Sequence, residues 1–387
     1  MHTRTKTLRK WALGGFLFSL QGEGEVYNYL VAEFSHLPDA HHNPNCHLAI
    51  RLVQYLPAPP VGATITKEYI GWKCGYQKLT DNLKYQYTES EEAPELLLDI
   101  ATYKKNPYLL RRVFQFFDSN YLTDAQLHAK NFMYGCFNLV SAILISRMQI
   151  GCYFHASSFE KNGYGVALVA AGGVGKTTSM MRLVAHHGWR YLSDDIALVG
   201  SRGELIRTPL RMQVYGYNVK GDNELRKKLL NERSLLDLIS WNLRIFRKGP
   251  FRTRRRIHAE EIFGSPSVSD RAHCAAIIFM ERAQISDFVV KRIENSELIS
   301  KLMHIMPNEI GDLDSTSDGL SLVHCELPGF SRVDYERLSE TFLKTTIGDI
   351  PIYIFRIPAS SSPDELTENV ARFLDQYVSL PPVATGS

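Results

Sequence analysis

Hydrophobic and polar positions change their texture along this chain near residue 150. Upstream, short extended runs alternate with turn signals. LAIRLVQYL (Leu48 to Leu56), TITKEYIGW and LKYQYTE read as strands, while PAPPVG and the acidic TESEEAPE read as loops. NFMYGCFNLVSAILISRM is apolar on more than one face and predicts a buried helix. Residues 1–150 are therefore expected to form an N-terminal α+β domain, with substrate or partner recognition as a candidate role.

From Gly151 the pattern tightens. CYFHASSF is strand-like, KNGYG marks a hairpin turn through its Asn-Gly pair, and VALVAA is the continuous apolar run of a buried strand. A glycine-rich stretch follows. Lys176 to His187 then has no helix breaker and predicts a helix ended by Gly188, after which WRYLSDDIALVG reads as strand, two aspartates and strand. Downstream, AAIIFMER and PIYIFRIP predict strands. ENSELISKLMHIM, VDYERLSETFLKTT and SPDELTENVARFLDQYV predict helices, the last with a Ser-Pro start and an acidic first turn. Residues 151–380 are expected to be an α/β domain.

Composition narrows the class. A chain of 387 residues with 44% hydrophobic and 22% charged residues is long enough for two domains with sizeable cores. A net charge of +3 gives no reason to invoke nucleic acid. Cys46, Cys74, Cys136, Cys152, Cys274 and Cys325 show no short regular spacing, which suits reduced thiols in a cytoplasmic protein. The opening MHTRTKTLRKWALGGFLFSL has the basic-then-apolar look of a secretory signal. Its apolar run is interrupted by Gly14 and Gly15, and the following QGEGE offers no small-residue cleavage site. Leu139 to Ile145 is far shorter than the ~20 apolar residues that span a bilayer. HHNPNCH (His41 to His47) carries soft ligands without a second cluster at metal-site spacing, so it reads as a polar loop.

The glycine-rich stretch carries the chemistry. Ala170, Ala171, Gly172, Gly173, Val174, Gly175, Lys176 and Thr177 match G-x-x-x-x-G-K-[ST] at every fixed position except the first, where alanine replaces glycine. Gly173 and Gly175 let successive N–H groups turn toward phosphate oxygens, and the following helix adds the positive end of its dipole. The phosphate-binding set is Ala171, Gly172, Gly173, Val174, Gly175, Lys176, Thr177 and Thr178, with Lys176 as the flexible charge and the Thr177 hydroxyl for magnesium. A glycine-rich turn that binds nothing would not need GKT between a buried strand and a helix. Asp194 and Asp195 follow Lys176 by 18 and 19 residues, at the end of the next strand. One of such a pair can hold magnesium while the other takes a proton from an attacking hydroxyl.

Together with His155, which precedes Lys176 by 21 residues, these motifs resemble the catalytic domain of the HPr kinase/phosphorylase family. That family is related in fold to phosphoenolpyruvate carboxykinase. The resemblance covers Cys152 to Val199 firmly, extends as a domain to about residue 380, and is absent before residue 150. It implies a P-loop domain with a mixed sheet, ATP as phosphate donor with GTP equally compatible, and Mg2+. It also implies Asp194 as general base, Asp195 and Thr177 as metal ligands, and Lys176 and His155 beside the transferred phosphate. The chain departs from the family where Ala171 and Gly172 replace an aspartate and a serine. The family's glycine-rich signature around a metal-binding glutamate also has no match: ELIRTPLRMQVYGYNV offers Arg207 and Arg211 but only Glu204 as an acid.

A divergent kinase is therefore expected, not one that phosphorylates HPr. Its acceptor would be a Ser or Thr hydroxyl on a peptide or small protein, for example a ribosomal natural-product precursor. A small-molecule kinase and a nucleotide-sensing module without phosphate transfer are the alternatives, and a homo-oligomer is left open. RIFRKGPFRTRRRIH, with seven Lys or Arg residues between Arg244 and His258, reads either as a solvated loop or as a source of Arg252 or Arg254 for phosphate or an acidic peptide.

Overall fold

The computed structural model describes residues 7–101, 123–230, 235–310 and 312–378. They fall into two compact units. The first holds the described chain as far as Cys152 together with Pro307–Phe342, and the second holds Tyr153–Met306 and the chain from Leu343 onward. The sequence pattern assigned Pro307–Phe342 to the C-terminal domain. Its partners explain the difference: Asp312 receives an ion pair from Lys78 at 2.9 Å, and the Cys325 thiol donates to the carbonyls of Trp72 and Gly75.

The first unit is built on an eight-stranded mixed sheet. In spatial order its strands are Thr7–Leu13, Phe16–Gly22, Leu48–Val53, Glu95–Asp99, Lys84–Thr88, Gly75–Leu79, Tyr69–Trp72 and Thr64–Ile65. The basic-then-apolar opening is an antiparallel hairpin whose turn is Gly14-Gly15. The buried-helix expectation resolves into Asp124–Phe132, a π-helical turn Met133–Phe137 and Asn138–Arg147, whose residues from Asn138 to Ser146 are all buried. No helix among the described residues is long and apolar enough to cross a membrane. All six cysteines are free thiols.

The second unit is a nine-stranded mixed sheet. Its main path runs Arg190–Ser193, Ala156–Lys161, Tyr164–Val169, Arg271–Ala283, Glu204–Ile206, Ala197–Gly200 and Gly151–Phe154, with Ile352–Pro358 and Val289–Arg292 branching beside Arg271–Ala283. Tyr164–Val169, Arg271–Ala283 and Ile352–Pro358 run parallel, so their carboxyl ends share one edge of the sheet. The expected Asn-Gly hairpin joins Ala156–Lys161 to Tyr164–Val169, with Asn162 and Gly163 at φ 57° and 84° as that two-residue turn requires. The helix Lys176–His186 follows and ends before Gly188, as its sequence predicts.

Met180, Met181, Leu183 and Val184 of that helix share one core with Phe159, Val166 and Leu168 of the sheet. Leu366, Val370, Phe373 and Leu374 of the last helix, Pro363–Tyr377, join the same core. The last helix starts with a reciprocal cap between Ser362 and Glu365. Its Leu366 methyl lies where a Cβ on Gly175 would fall, 2.6 Å away, which ties the core to the glycine loop.

Candidate active site

The glycine loop leaves the carboxyl end of Tyr164–Val169 and delivers the chain into the helix Lys176–His186. Gly173 and Gly175 have φ of 81° and 125°, values that L side chains rarely adopt. Ala171, Gly172 and Gly173 are exposed, and Cβ atoms on either glycine would meet nothing within 4 Å. The apex is exposed at a helix N-terminus that no side chain caps.

Ala170 is absent from the described non-glycine residues with positive φ, and it is fully buried in the core. Its methyl therefore occupies core space at no backbone cost. Ala170→Gly, which restores the motif's usual first residue, is expected to destabilise the protein by about 1–2 kcal/mol without tightening nucleotide binding. Chemical denaturation and nucleotide titration of the variant check both halves.

Asp194 and Asp195 occupy the turn between Arg190–Ser193 and Ala197–Gly200, and adjacency in sequence does not give them equal surroundings. Asp194 is 1% exposed. Its Oδ1 accepts from Thr177 Oγ1 at 2.8 Å and Ser157 Oγ at 2.6 Å, and its Oδ2 accepts from the Gln213 backbone N–H at 3.3 Å. Burial, aided by the Asp195 charge, pushes its carboxyl up to about 6, against the pull of those three donors. The Asp195 side chain is 34% exposed. Its φ of 70° and the bond from Ile196 N to Asp194 O at 2.9 Å make it the centre of a γ-turn, a strained geometry that turns the two carboxylates apart.

His155 lies in the bend between Gly151–Phe154 and Ala156–Lys161, so the single predicted strand is broken where the histidine sits. Burial, then the Lys176 charge, lowers its ring to about 4, with Asp195 acting the other way. It is neutral at neutral pH. Lys176 Nζ donates to His155 Nε2 at 2.9 Å, which assigns the ring proton to Nδ1, 3.7 Å from Asp195 Oδ1. Lys176 also donates to the carbonyls of Ala170 at 2.6 Å and Ala171 at 3.3 Å. Its charge is thus held at the base of the loop by neutral acceptors. Thr178 faces inward, where its hydroxyl accepts from Asn218 Nδ2 at 2.8 Å.

The arginine run proves to be neither all solvated nor all functional. Arg254–Ile257 is a strand paired with Met212–Tyr215, so its side chains alternate between two faces. On one face, Arg254 and Arg256 donate to Gln213 Oε1 at 3.0 and 3.3 Å, one residue removed from Asp194. Arg252 is exposed in the turn before them. On the other face Arg255 is buried, paired with Asp237 at 2.7 Å and lying 4.8 Å from the Trp241 ring centre. Arg255→Ala removes a buried guanidinium from its ion pair with the half-buried Asp237 and from the Trp241 ring, and is expected to cost about 3 kcal/mol of stability in denaturant titration.

Sequence reasoning also missed Arg282. It is the next-to-last residue of Arg271–Ala283, the strand parallel to the loop strand, and its guanidinium donates to the Val174 carbonyl at the loop apex (3.4 Å) and to the carbonyls of Pro358, Ala359 and Ser361. Neither Gln213 nor Arg282 belongs to a local motif. Only the sheet pairing could have found them.

The Thr177 hydroxyl and the Asp194 carboxylate form an all-oxygen donor pair. Among the described residues no group of three or more His, Cys, Asp or Glu side chains is arranged to hold a metal ion. A small hard cation that keeps waters and takes phosphate oxygens as its remaining ligands suits such a pair, and magnesium has that habit.

No family model matches the sequence, and no curated protein matches it. Among solved structures, the chain is similar to the Hpr(Ser) kinase/phosphatase from Coxiella burnetii, with 11% identity and a TM-score of 0.24 over 57% of this chain and 94% of that one.

Proposed function

We propose that the second unit is a magnesium-dependent nucleoside-triphosphate kinase whose acceptor is a Ser or Thr hydroxyl of a peptide or small protein. The observation that carries this reading is the meeting of Lys176, Thr177, Asp194, Asp195 and His155 at one end of the sheet, with Thr177 and Asp194 in direct hydrogen bond at 2.8 Å. Bound magnesium would spread the charge of the terminal phosphates, held by the Thr177 hydroxyl with Asp194 behind it. Lys176 would leave the loop carbonyls for the phosphates, and the loop N–H groups would cradle them.

The same geometry favours assigning the aspartates in the order opposite to the one the family resemblance implies. Asp194 is sealed from solvent and already serves Thr177, so an incoming hydroxyl cannot reach it without rebuilding the site. The Asp195 side chain is 34% exposed, with the neutral His155 ring 3.7 Å from its Oδ1. In the proposed step the acceptor oxygen loses its proton to Asp195 as it bonds to the terminal phosphorus. The bond to the bridging oxygen breaks, and a nucleoside diphosphate leaves. Arg254 and Arg256 lie close enough to Asp194, through Gln213, to swing onto the transferring group as bidentate donors.

Incubation of the full chain with γ-labelled ATP and magnesium against Ser- and Thr-containing peptides tests the reading. Label on a peptide hydroxyl is the expected result. Tight nucleotide binding with neither labelled peptide nor diphosphate release would leave a nucleotide-sensing module instead.

A further inference from the structure

Beside these carboxylates begins an aromatic ladder that the phosphate chemistry does not use. Tyr215 and Tyr217 stack with ring centres 5.4 Å apart and planes 22° apart, and Tyr217 stacks on Phe251 at 5.0 Å and 26°. The rings come from separate stretches, and Gly216 makes their approach possible. A Cβ there would lie 3.2 Å from both the Pro250 backbone and the Ile245 side chain, and the Gly216 N–H donates to Thr253 O at 2.9 Å.

The two ends of the ladder differ. Its inner end is tied to the site, because the Tyr215 hydroxyl accepts from Gln213 Nε2 at 2.9 Å and from Arg254 Nη1 at 3.5 Å, and the Gln213 backbone donates to Asp194. Its outer end is Phe251, 72% exposed. A ring so exposed adds little to the core, and rings stacked from surface to active site present a ready apolar contact face.

Position selects the occupant. Thr177 and Asp194 mark the end of the loop where the terminal phosphate and metal belong, and a nucleotide's base lies at the far end of its phosphate chain. A face that starts at Asp194 therefore lies on the acceptor side. We propose that Tyr215, Tyr217 and Phe251 dock the acceptor, and that the acceptor is a peptide with an aromatic or large aliphatic side chain near its Ser or Thr; this rests on the kinase reading above. Two stacking steps of 5.4 and 5.0 Å span at most the length of about three residues of extended peptide at ~3.3 Å per residue. The apolar side chain is thus placed within about three residues of the hydroxyl.

The test uses capped peptides with one serine in an alanine-glycine background and a single phenylalanine moved along the chain on either side. An all-background control accompanies them, and each is assayed with γ-labelled ATP and the full-length protein. Binding of a fluorescent ATP analogue is measured separately. The expected result is a kcat/KM about tenfold or more above the control when phenylalanine lies within about three residues of serine. That advantage should disappear in Phe251→Ala and return in part in Phe251→Leu, with analogue affinity within about twofold in both. Equal labelling of all peptides overturns the docking proposal and leaves the kinase reading intact. A loss of analogue affinity in Phe251→Ala also overturns it, because the ladder would then hold the base. Intact analogue binding with no peptide labelled overturns both readings.

Discussion

Asp195→Asn is expected to lower phosphate transfer by about 10²- to 10⁴-fold while nucleotide affinity stays within about twofold. Asparagine has the shape of aspartate but cannot take the acceptor's proton. The substitution is also mild for the fold, because Asp195 sits at φ 70° and asparagine tolerates that backbone as readily as aspartate does. The buried contacts of Asp194 with Thr177, Ser157 and Gln213 do not involve the substituted group, so the phosphate end of the site should survive. Single-turnover transfer from labelled ATP, beside calorimetric titration of nucleotide, separates the two quantities. Transfer at near the parent rate would return the base role to Asp194.

Asp194→Asn should act on the metal. Removing a carboxylate that orients a metal-binding hydroxyl costs about 10–100-fold in metal affinity, so magnesium should lose most of its power to tighten nucleotide binding. The parent protein should reproduce part of this loss in acid. Magnesium favours the ionised carboxylate, and with the Asp194 carboxyl at about 6 the ionised fraction falls as pH drops through that value. Between pH 7 and pH 5 the magnesium effect should shrink about tenfold beyond the nucleotide's own titration, and Asp194→Asn should abolish that extra dependence. Magnesium titrations at fixed nucleotide and several pH values read both.

Stability without metal carries the opposite sign. The folded Asp194 carboxyl lies above its unfolded value of 3.8, so its contribution is full below that pH and is lost as pH rises through about 6. His155, lowered from 6.5 to about 4, contributes fully above 6.5 and loses its contribution as pH falls through 4. The two oppose each other across the mildly acidic range. Above it the buried Asp194 charge alone remains as a cost, which magnesium and nucleotide are expected to offset. Thermal melts at pH 8 with and without magnesium and nucleotide should therefore differ more than the same pair at pH 5.

Much of the second unit was legible because its signals are local. The Asn162-Gly163 turn, the end of the loop helix before Gly188 and the Ser362 cap with Glu365 each need only a few consecutive residues. The glycine loop was legible for the same reason, since strand, turn and helix N-terminus are contiguous. Pro307–Phe342 groups with the first unit through partners, Lys78, Trp72 and Gly75, that lie more than 200 residues away in sequence and leave no local signal. The arginine run was ambiguous because a period of two has meaning only once a partner strand exists. With Met212–Tyr215 beside it, Arg255 goes to the core and Arg254 and Arg256 go to the site.

The amino-acid sequence by itself determined the chemical inventory of the candidate site: a glycine-rich loop, a lysine, a hydroxyl, two acids and a histidine, at spacings that bring them to one sheet edge. Tertiary structure alone decided how those groups differ. A γ-turn sends neighbouring aspartates into unlike surroundings, one sealed against Thr177 and one open beside His155. Cross-strand pairing brings Gln213, Arg254 and the ring of Tyr215 to the same carboxylate. Burial and hydrogen-bond partners set what a carboxylate can do, and both are properties of the space around it that its neighbours in sequence do not encode.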